Sequence, residues 1–188
     1  MSSKKSQFWI EKFQSWMEES LSSIVKSLPW FALSAVIIVA DQVSKAVAVA
    51  MLSFSPTQIL PFLSLTLACN TGAAFSILEG YGEVLAILGI LMSGFFIYAI
   101  VRLPENRRME ASAFCLILAG AVGNVIDRLT RGCVVDFVHL HHGEWSFPIF
   151  NLADSAITIG AGLWILSLLL SRESAKSRQS GHKTLDET

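Results

Sequence analysis

Charged residues are scarce in this sequence. Asp, Glu, Lys and Arg make up 15% of its 188 residues, whereas hydrophobic residues make up 53%. Soluble domains contain about 25% charged residues, so the composition excludes an ordinary soluble protein and indicates an integral membrane protein. The formal net charge of −1 and the lack of a basic stripe argue against a nucleic-acid partner.

A cleavable leader is also missing. The first hydrophobic segment has no convincing small-residue cleavage site, and it carries Asp41, Gln42 and Lys45. A secretory signal peptide combines an apolar centre with such a site. The segment is therefore interpreted as a membrane span.

Four hydrophobic segments are long enough, or nearly so, to cross a hydrocarbon core of about 30 Å, which takes about 20 helical residues. The third is the shortest and has a polar outer end. The sequence thus predicts an integral membrane α-helical protein, a four-transmembrane-helix bundle within residues 29–171. The segments run from Trp30 to Leu52, Val84 to Arg102, Ala111 to Asp127, and Phe147 to Leu170.

Lys and Arg are distributed on one side of these segments. Of 14 basic residues, four precede the first segment, three fill the second connection and four follow the last, while Ser53 to Glu83 contains none. The positive-inside rule then predicts that both termini are cytoplasmic and that the longer connections face outward. The other three, Lys45, Arg128 and Arg131, lie near aspartates and are interpreted as carboxylate partners.

The two ends of the chain differ from the bundle. Apolar residues in 1–28 recur at roughly helical spacing, which predicts an amphipathic helix at the inner membrane interface; a weakly ordered leader is the alternative. Residues 172–188 are polar and predict a disordered cytoplasmic tail. The apolar residues of 1–28 are Phe8, Trp9, Ile10, Phe13, Trp16, Met17, Leu21 and Ile24.

The first outward connection carries a strand pattern. Leu63 to Leu67 alternates apolar and polar residues, as a half-buried strand does. Asn70-Thr71-Gly72 follows as a turn signal, and Ala73 to Leu78 could return as a second strand. These features predict a small outward-facing β-sheet with one apolar face at the membrane surface.

Cysteine gives little information. Cys115 lies within the third span, while Cys69 and Cys133 both fall on the outward side. A disulfide between these two could form, but separation in sequence cannot decide it, and we do not expect one.

Four aspartates lie within or beside the spans: Asp41, Asp127, Asp136 and Asp154. Placing a carboxylate in hydrocarbon costs roughly 3 kcal/mol, so such residues indicate function by default. At a helical rise of about 1.5 Å per residue, all four fall in the outer half of the bilayer or just above it. Paired aspartates at one depth indicate acid–base chemistry.

Polar residues also share faces of the predicted helices, at spacings of three and four residues. Asp41 and Lys45 are neighbours of this kind and can pair. Small residues on the third span permit close helix approach. The stripes comprise Asn151, Asp154, Ser155 and Thr158 on the fourth span, and Gly120, Gly123, Asn124, Asp127 and Arg128 on the third.

Each candidate has a structural alternative. Asp41–Lys45 can be read as an ion pair that fixes helix packing, at least as readily as a chemical group. Asp127–Arg128 can be structural or can orient substrate, because Arg keeps a neighbouring carboxylate ionised. Asp136 would be an ordinary loop residue but for its valine and phenylalanine neighbours, which desolvate it.

Three histidines admit a metal hypothesis. His139, His141 and His142 could bind zinc together with aspartate. They are bunched in one short segment without a helical pair, so we expect interfacial histidines beside Trp145 and no bound metal.

Five ordered blocks make the sequence similar to the lipoprotein signal peptidases, the bacterial type II signal peptidases. The resemblance covers about residues 30–170, and it departs from the usual pattern at Ala119, where a second glycine is common. The blocks are Asp41-Gln42-Val43-Ser44-Lys45, Asn70-Thr71-Gly72-Ala73-Ala74-Phe75-Ser76, Gly120-Ala121-Val122-Gly123-Asn124-Val125-Ile126-Asp127-Arg128, Val134-Val135-Asp136-Phe137 and Phe150-Asn151-Leu152-Ala153-Asp154-Ser155.

The resemblance implies an aspartic endopeptidase of the bacterial inner membrane, with its site toward the outer leaflet. Such enzymes cut prolipoproteins before a cysteine that carries diacylglycerol, and globomycin-type cyclic peptides inhibit them. It implies Asp136 and Asp154 as the catalytic dyad, no cofactor or metal, and a monomer whose partners are lipidated precursors and membrane lipid. Supporting or substrate-binding residues are then Asp41, Lys45, Asn70, Gly72, Asn124, Asp127, Arg128 and Asn151.

Two other classes remain as alternatives. A small proton-coupled transporter also carries carboxylates in the membrane, but it is expected to show repeated, broken helices. No such repeat is visible in this sequence. A membrane metalloprotease is the third possibility, and activity that survives a strong chelator would exclude it.

Overall fold

The computed structural model describes residues 2–72 and 80–183. Four helices account for most of them: α1 (Ser2–Met51), α2 (Gly82–Arg102), α3 (Arg108–Arg131) and α4 (Leu152–Lys183). Each contains a stretch long and apolar enough to cross a membrane. The predicted four-span bundle is thereby confirmed in number and class.

The boundaries of two spans differ from the prediction. Helix α3 covers Arg108–Arg131 rather than Ala111 to Asp127, so the shortest predicted span is a full-length one. Helix α4 begins at Leu152 rather than Phe147, because Phe147 and Phe150 donate backbone hydrogen bonds to a neighbouring strand. Hydropathy alone does not separate such an apolar strand from the start of an apolar helix.

Helix α3 is the centre of the bundle and contacts the other three helices. Phe114 of α3 packs against Phe96 of α2 and Trp164 of α4, with ring centroids 5.4 and 5.3 Å apart. These tilted and edge-to-face arrangements are favoured by aromatic rings. The rest of α2 and α4 exposes large apolar side chains, as expected of helices that contact lipid.

Glycines bring α3 and α4 close together. A Cβ at Gly160 would lie 2.7 Å from the backbone oxygen of Ala113, and Gly120 meets the backbone of Ala153 in the same way. A Cβ at Gly123 would lie 2.6 Å from Asp41 Oδ2. The small residues therefore allow the close approach that the sequence predicts.

A four-stranded antiparallel sheet caps one end of the bundle, in the order β1 (Thr57–Leu60), β2 (Leu63–Asn70), β3 (Val134–His142) and β4 (Trp145–Ser146). The predicted strand is present as β2 and extends to Asn70. It pairs with β1 on one side and with β3 on the other, and the sequence treats β3 as a connection. The predicted return strand at Ala73 to Leu78 lies outside the described residues.

The alternation in β2 buries its polar residues. Ser64 and Thr66 are buried, whereas Leu63, Leu65 and Leu67 are half-buried. Ser64 Oγ is 2.8 Å from His141 Nε2, so the polar side of β2 is bonded across the sheet to β3. The three leucines therefore lie on the more exposed face of the strand, as expected of a sheet that contacts lipid.

Cys69 and Cys133 form a disulfide, with their Cα atoms 5.5 Å apart. The expectation of no disulfide is wrong. The pairing of β2 with β3 places Cys69 opposite Val135, and Cys133 immediately precedes β3. Sequence separation could not reveal this because the two cysteines are brought together only by the register of the sheet.

The chain ends are helical extensions of the bundle. Helix α1 runs without a break from Ser2 through Pro29 to Met51, and Lys26 forms an ion pair of 2.8 Å with Glu105. Helix α4 continues to Lys183, whereas the sequence predicts a disordered tail from residue 172. Ala, Glu, Lys, Arg and Gln in this stretch are good helix formers, which explains the continuation.

Candidate active site

Asp136 is the third residue of β3, and its side chain is only 2% exposed. Its strand position lies opposite Ala68 of β2, two residues from Asn70. Asp136 Oδ2 accepts a hydrogen bond of 3.0 Å from Asn70 Nδ2, and Oδ1 accepts one of 2.6 Å from Asn151 Nδ2. Two neutral amides therefore hold this carboxyl group in place.

Asp154 lies in the first turn of α4, where it forms a reciprocal cap with Asn151. Asn151 Oδ1 accepts a hydrogen bond of 2.9 Å from the Asp154 backbone N–H, and Asp154 Oδ2 accepts one of 3.2 Å from the Asn151 N–H. This is the capping-box arrangement, which satisfies two N–H groups at a helix start. The three-residue spacing that the sequence shows as a polar stripe thus has a local structural cause.

Asn151 connects the two aspartates, because its side chain binds Asp136 and its backbone binds Asp154. Asn124 of α3 adds a second contact to Asp154, with its Nδ2 2.8 Å from Asp154 Oδ1. Among the residues that the structure describes, neither Asp136 nor Asp154 forms an ion pair. The site therefore contains two carboxyl groups that are both hydrogen-bonded to Asn151.

Asp41 and Asp127 are different, since both pair with a cation. Lys45 Nζ lies 2.9 Å from Asp41 Oδ2 and 2.9 Å from Asp127 Oδ2, and it also donates to Asn124 Oδ1 at 3.0 Å. All four side chains are buried. The predicted Asp41–Lys45 pair is present, and Asp127 shares the same ammonium.

Arg128 is not the partner of Asp127. Arg131, one helical turn further on, pairs with the Asp127 carboxylate. Arg128 instead donates a hydrogen bond of 2.7 Å to the backbone oxygen of Gly72. The interpretation of Asp127–Arg128 as a pair is wrong because adjacent residues on a helix point in different directions. Arg131 was correctly expected to bind a carboxylate.

Asn70, Gly72 and Arg128 form a second chain of contacts at the edge of the site. The Gly72 N–H donates to Asn70 Oδ1 at 2.9 Å, so the backbone orients the amide that binds Asp136. Arg128 fixes the same glycine from the side of α3. These residues connect the first outward connection to the carboxyl pair.

Burial, and secondly the nearby charge of Asp154, raise the pKa of Asp136 from 3.8 to about 6. Hydrogen bonds from Asn70 and Asn151 and the charge of Lys45 lower the pKa but only partly oppose this effect. A carboxyl group with such a pKa exchanges its proton near neutral pH, as a general acid or base must.

Two of the three histidines serve the sheet. His139 Nε2 lies 2.7 Å from Ser146 Oγ, and His141 Nε2 lies 2.8 Å from Ser64 Oγ. They link β3 to its neighbours on both sides. These contacts give His139 and His141 a structural role in the sheet, while their location at the membrane interface stays a prediction.

Sequence reasoning missed several groups of the site. Gln42 donates hydrogen bonds to Asp41, Asp127 and the Gly123 backbone oxygen. The backbone N–H groups of Val135 and Ala153 donate to Asp127 and Asp41. Gln42 lies beside two charged motif residues and could have been suspected. The backbone contacts carry no signal in the side-chain sequence.

In the part of the chain that the structure describes, Asp136 and Asp154 have no ion-pair partner and are linked by Asn151. Two such carboxyl groups in a multi-pass bundle are a feature of a membrane-bound aspartic hydrolase. The class follows from the fold and from the difference in ion pairing. Asp41 and Asp127 both pair with Lys45, whereas no ion pair of Asp136 or Asp154 is found among the described residues. The charge of Asp154 opposes ionisation of Asp136, as expected of neighbouring carboxyl groups.

Comparison with known proteins agrees with this class. Residues 33–170 match the Peptidase_A8 family, signal peptidase (SPase) II. The lipoprotein signal peptidase of Acinetobacter baylyi is 43% identical over 145 residues, covering 74% of this chain and 81% of that protein. The lipoprotein signal peptidase of Teredinibacter turnerae is 40% identical over 159 residues, covering 82% and 95%.

A solved bacterial membrane enzyme, determined by the in meso method at 2.3 Å resolution, has the same fold. Its TM-score is 0.72 at 34% identity, and the match covers 78% of this chain and 90% of that one. The chain belongs to the signal peptidase II family. It is an aspartic-type endopeptidase of prolipoprotein processing and a multi-pass membrane protein.

Proposed function

We propose that Asp136 and Asp154 are the catalytic dyad of this peptidase. The observation that carries the proposal is that both carboxyl groups are linked through Asn151 and neither has an ion-pair partner among the described residues. Asp41 and Asp127, by contrast, are neutralised by Lys45. Among the described residues, Asp136 and Asp154 therefore have no ion-pair partner that would keep both of them ionised.

The reaction follows from one proton shared by two carboxyl groups. The ionised group removes a proton from water, whose oxygen attacks the scissile carbonyl carbon. The protonated group donates a hydrogen bond to the carbonyl oxygen as negative charge develops there. When the intermediate collapses, the C–N bond breaks and a dyad proton passes to the leaving amine. The titration belongs to the pair, so neither role is assigned to one aspartate.

The substrate is a prolipoprotein that carries diacylglycerol on the cysteine after the cleavage site. The outward sheet supports this choice, because Ile59, Leu60 and Phe62 are exposed on or beside β1, and Trp145 and Phe147 lie near β4. These side chains can contact acyl chains and an apolar signal peptide while the scissile bond reaches the carboxyl groups. A globomycin-type peptide would bind across the same carboxyl groups.

The site lies toward the outer leaflet of the bacterial inner membrane, with both termini in the cytoplasm. Two independent features support this orientation. Basic residues are concentrated at the end of the bundle that holds both termini. The Cys69–Cys133 disulfide lies at the opposite end, and disulfides persist in oxidising compartments such as the periplasm.

The N-terminal part of α1 lies at the inner membrane interface, and the enzyme acts as a monomer. Phe8, Trp9, Phe13 and Trp16 are exposed on this part of the helix, and Lys12 lies 5.9 Å from the Phe8 ring centroid. Aromatic rings combined with lysine are typical of interfacial helices. The four spans bury the dyad within one chain, so a second copy is not needed to complete the site.

Cleavage of a diacylglyceryl-modified precursor tests the dyad directly. Asp136→Asn and Asp154→Asn should each lower kcat by at least about 100-fold, since each removes a group that must transfer a proton. Glu144→Gln, at an exposed acidic residue of the same outward side, is the matched control and should keep wild-type turnover. Normal turnover in either Asn variant would refute the assignment.

A further inference from the structure

One buried ammonium lies between the two segments that carry the dyad. Lys45 Nζ has three partners, Asp41 Oδ2 and Asp127 Oδ2 at 2.9 Å each and Asn124 Oδ1 at 3.0 Å. Its side chain is 0% exposed. An ammonium has three N–H donors, so these contacts use all of them.

Each carboxylate that Lys45 neutralises holds the backbone directly before a dyad aspartate. Asp127 Oδ2, which binds Lys45, also accepts a hydrogen bond of 3.1 Å from the N–H of Val135, the residue before Asp136. Asp41 accepts one of 2.9 Å on its other oxygen from the N–H of Ala153, the residue before Asp154. The two contacts have the same form, although Val135 lies on a strand and Ala153 on a helix.

The third partner of Lys45 reaches the dyad through a side chain. Lys45 can only donate, so it binds the oxygen of the Asn124 amide and turns the Nδ2 group toward Asp154. Asn124 thereby presents a donor to Asp154 Oδ1 at 2.8 Å. Lys45 is therefore connected to Asp136 through Asp127 and the Val135 backbone. It is connected to Asp154 through Asn124 and through Asp41 and the Ala153 backbone, and it contacts neither dyad carboxyl group itself.

We propose that Lys45 is a positioning residue, which sets the relative placement of Asp136 and Asp154 by joining Asp41, Asp127 and Asn124 through one ammonium. The inference rests on the proposed function of that dyad. Charge-assisted hydrogen bonds are roughly twice as strong as neutral ones, so this frame is more rigid than the amide contacts made by Asn70 and Asn151. A buried ion cluster is a poor source of stability but a good means of fixing geometry.

The cluster around Lys45 is electrically balanced, and that balance allows a clean test. Asp41 and Asp127 contribute two negative charges, while Lys45 and Arg131 contribute two positive charges. Arg128, Asp136 and Asp154 complete the ionisable groups that face this region from α3, β3 and α4. Lys45→Met makes the cluster net negative, whereas Lys45→Met combined with Asp127→Asn restores its net charge without the ammonium. Asn at 127 keeps an oxygen that can accept from the Val135 N–H.

The test is steady-state cleavage of a diacylglyceryl-modified precursor in detergent micelles, with rates expressed per folded enzyme. It distinguishes the loss of the contacts made by Lys45 from the change in net charge. Lys45→Met should lower kcat by about 100-fold with KM changed less than about threefold, because Lys45 does not touch substrate. Its pH–rate profile should move to higher pH, since the lost positive charge favours protonated aspartates. The charge-balanced double variant should return the profile to that of the wild type while kcat stays low.

A matched pair of variants at the middle of α1 and in the connection between α2 and α3 controls for loss of an ion pair. Lys26→Met, alone and with Glu105→Gln, removes the exposed Lys26–Glu105 pair and should leave kcat, KM and pH profile unchanged. The inference is overturned if the Lys45 variants lose only folded yield, with kcat per folded enzyme unchanged, or if the double variant regains full kcat. If Lys45→Met does not fold, the charge-balanced variant alone decides the question.

Asp136→Asn and Asp154→Asn in the same assay keep the two proposals apart. If either retains activity, the proposed dyad is wrong. If both lose activity while the Lys45 variants turn over normally, the dyad stands and only the positioning role of Lys45 is excluded.

Discussion

Single residues at this site are distinguished by their partners rather than by their type. Four buried aspartates lie within one polar cluster, yet Asp41 and Asp127 contact Lys45, whereas Asp136 and Asp154 contact amides. A cation keeps a buried carboxylate ionised, while burial without one favours the protonated form. This contrast separates the frame of the site from its reactive groups.

The raised pKa of Asp136 predicts a pH-dependent stability. Between pH 3.8 and about 6 the folded protein holds a proton on Asp136 that the unfolded chain releases, so this group lowers the free energy of unfolding as pH rises. The expected loss is about 3 kcal/mol, from 1.36 kcal/mol per pKa unit. Asp136→Asn lacks this loss, so its stability relative to the wild type should increase from pH 4 to pH 7.

Thermal or denaturant unfolding in micelles at several pH values measures this difference. Glu144→Gln, which removes an exposed acid outside the carboxyl pair, is measured alongside as the control substitution. A difference for Asp136→Asn that stays flat or shrinks with rising pH would show that Asp136 ionises as readily in the folded enzyme as in the unfolded chain.

Some secondary-structure elements could be predicted from the sequence and others could not. The four spans and β2 followed from hydropathy and from the alternation at Leu63 to Leu67, because both patterns are local. The strand β3, its pairing with β2 and the Cys69–Cys133 disulfide did not, since they depend on which distant segments meet. The three-residue spacing of Asn151 and Asp154 is visible in the sequence. It predicts a polar stripe on one helix face, whereas in the structure it forms a capping box at the start of α4.

Packing between α3 and α4 gives a prediction at the same scale. A Cβ at Gly160 would lie 2.7 Å from the Ala113 backbone oxygen, so Gly160→Ala should force the helices apart and destabilise the bundle by about 1–3 kcal/mol. Gly162→Ala on the same helix meets nothing within 4 Å and should be neutral or slightly stabilising. Melting temperatures of the two variants in one detergent check this, and equal values would contradict the tight contact.

The whole molecule is polarised across the membrane. Basic residues and both termini lie at one end, and the sheet, the disulfide and the carboxyl pair lie at the other. The placement of Lys and Arg predicts that the end with the basic residues is cytoplasmic, and this orientation stays a prediction. The sequence predicts a separate amphipathic helix in residues 1–28 and a disordered tail from residue 172, whereas α1 is one continuous helix and α4 continues to Lys183. A neighbouring helix can extend into a polar segment whose own helical signal is weak.

This polarity predicts the accessibility of two surface positions. Glu144→Cys, between β3 and β4, should react with a membrane-impermeant maleimide in intact spheroplasts. Glu105→Cys, between α2 and α3, should react only after lysis, because the proposed orientation places it on the cytoplasmic side. The reverse labelling pattern, or labelling of both positions before lysis, would contradict the proposed orientation.

The most direct test of the account is a double-mutant cycle on the dyad, measured as kcat/KM for a diacylglyceryl-modified precursor. If Asp136 and Asp154 share one proton and act as a unit, each single Asn variant should lose at least about 100-fold, and the double variant should be no worse by more than a few-fold. A double variant whose loss equals the product of the two single losses would show that the aspartates act independently. A single variant with normal turnover would show that its aspartate is not part of the reaction.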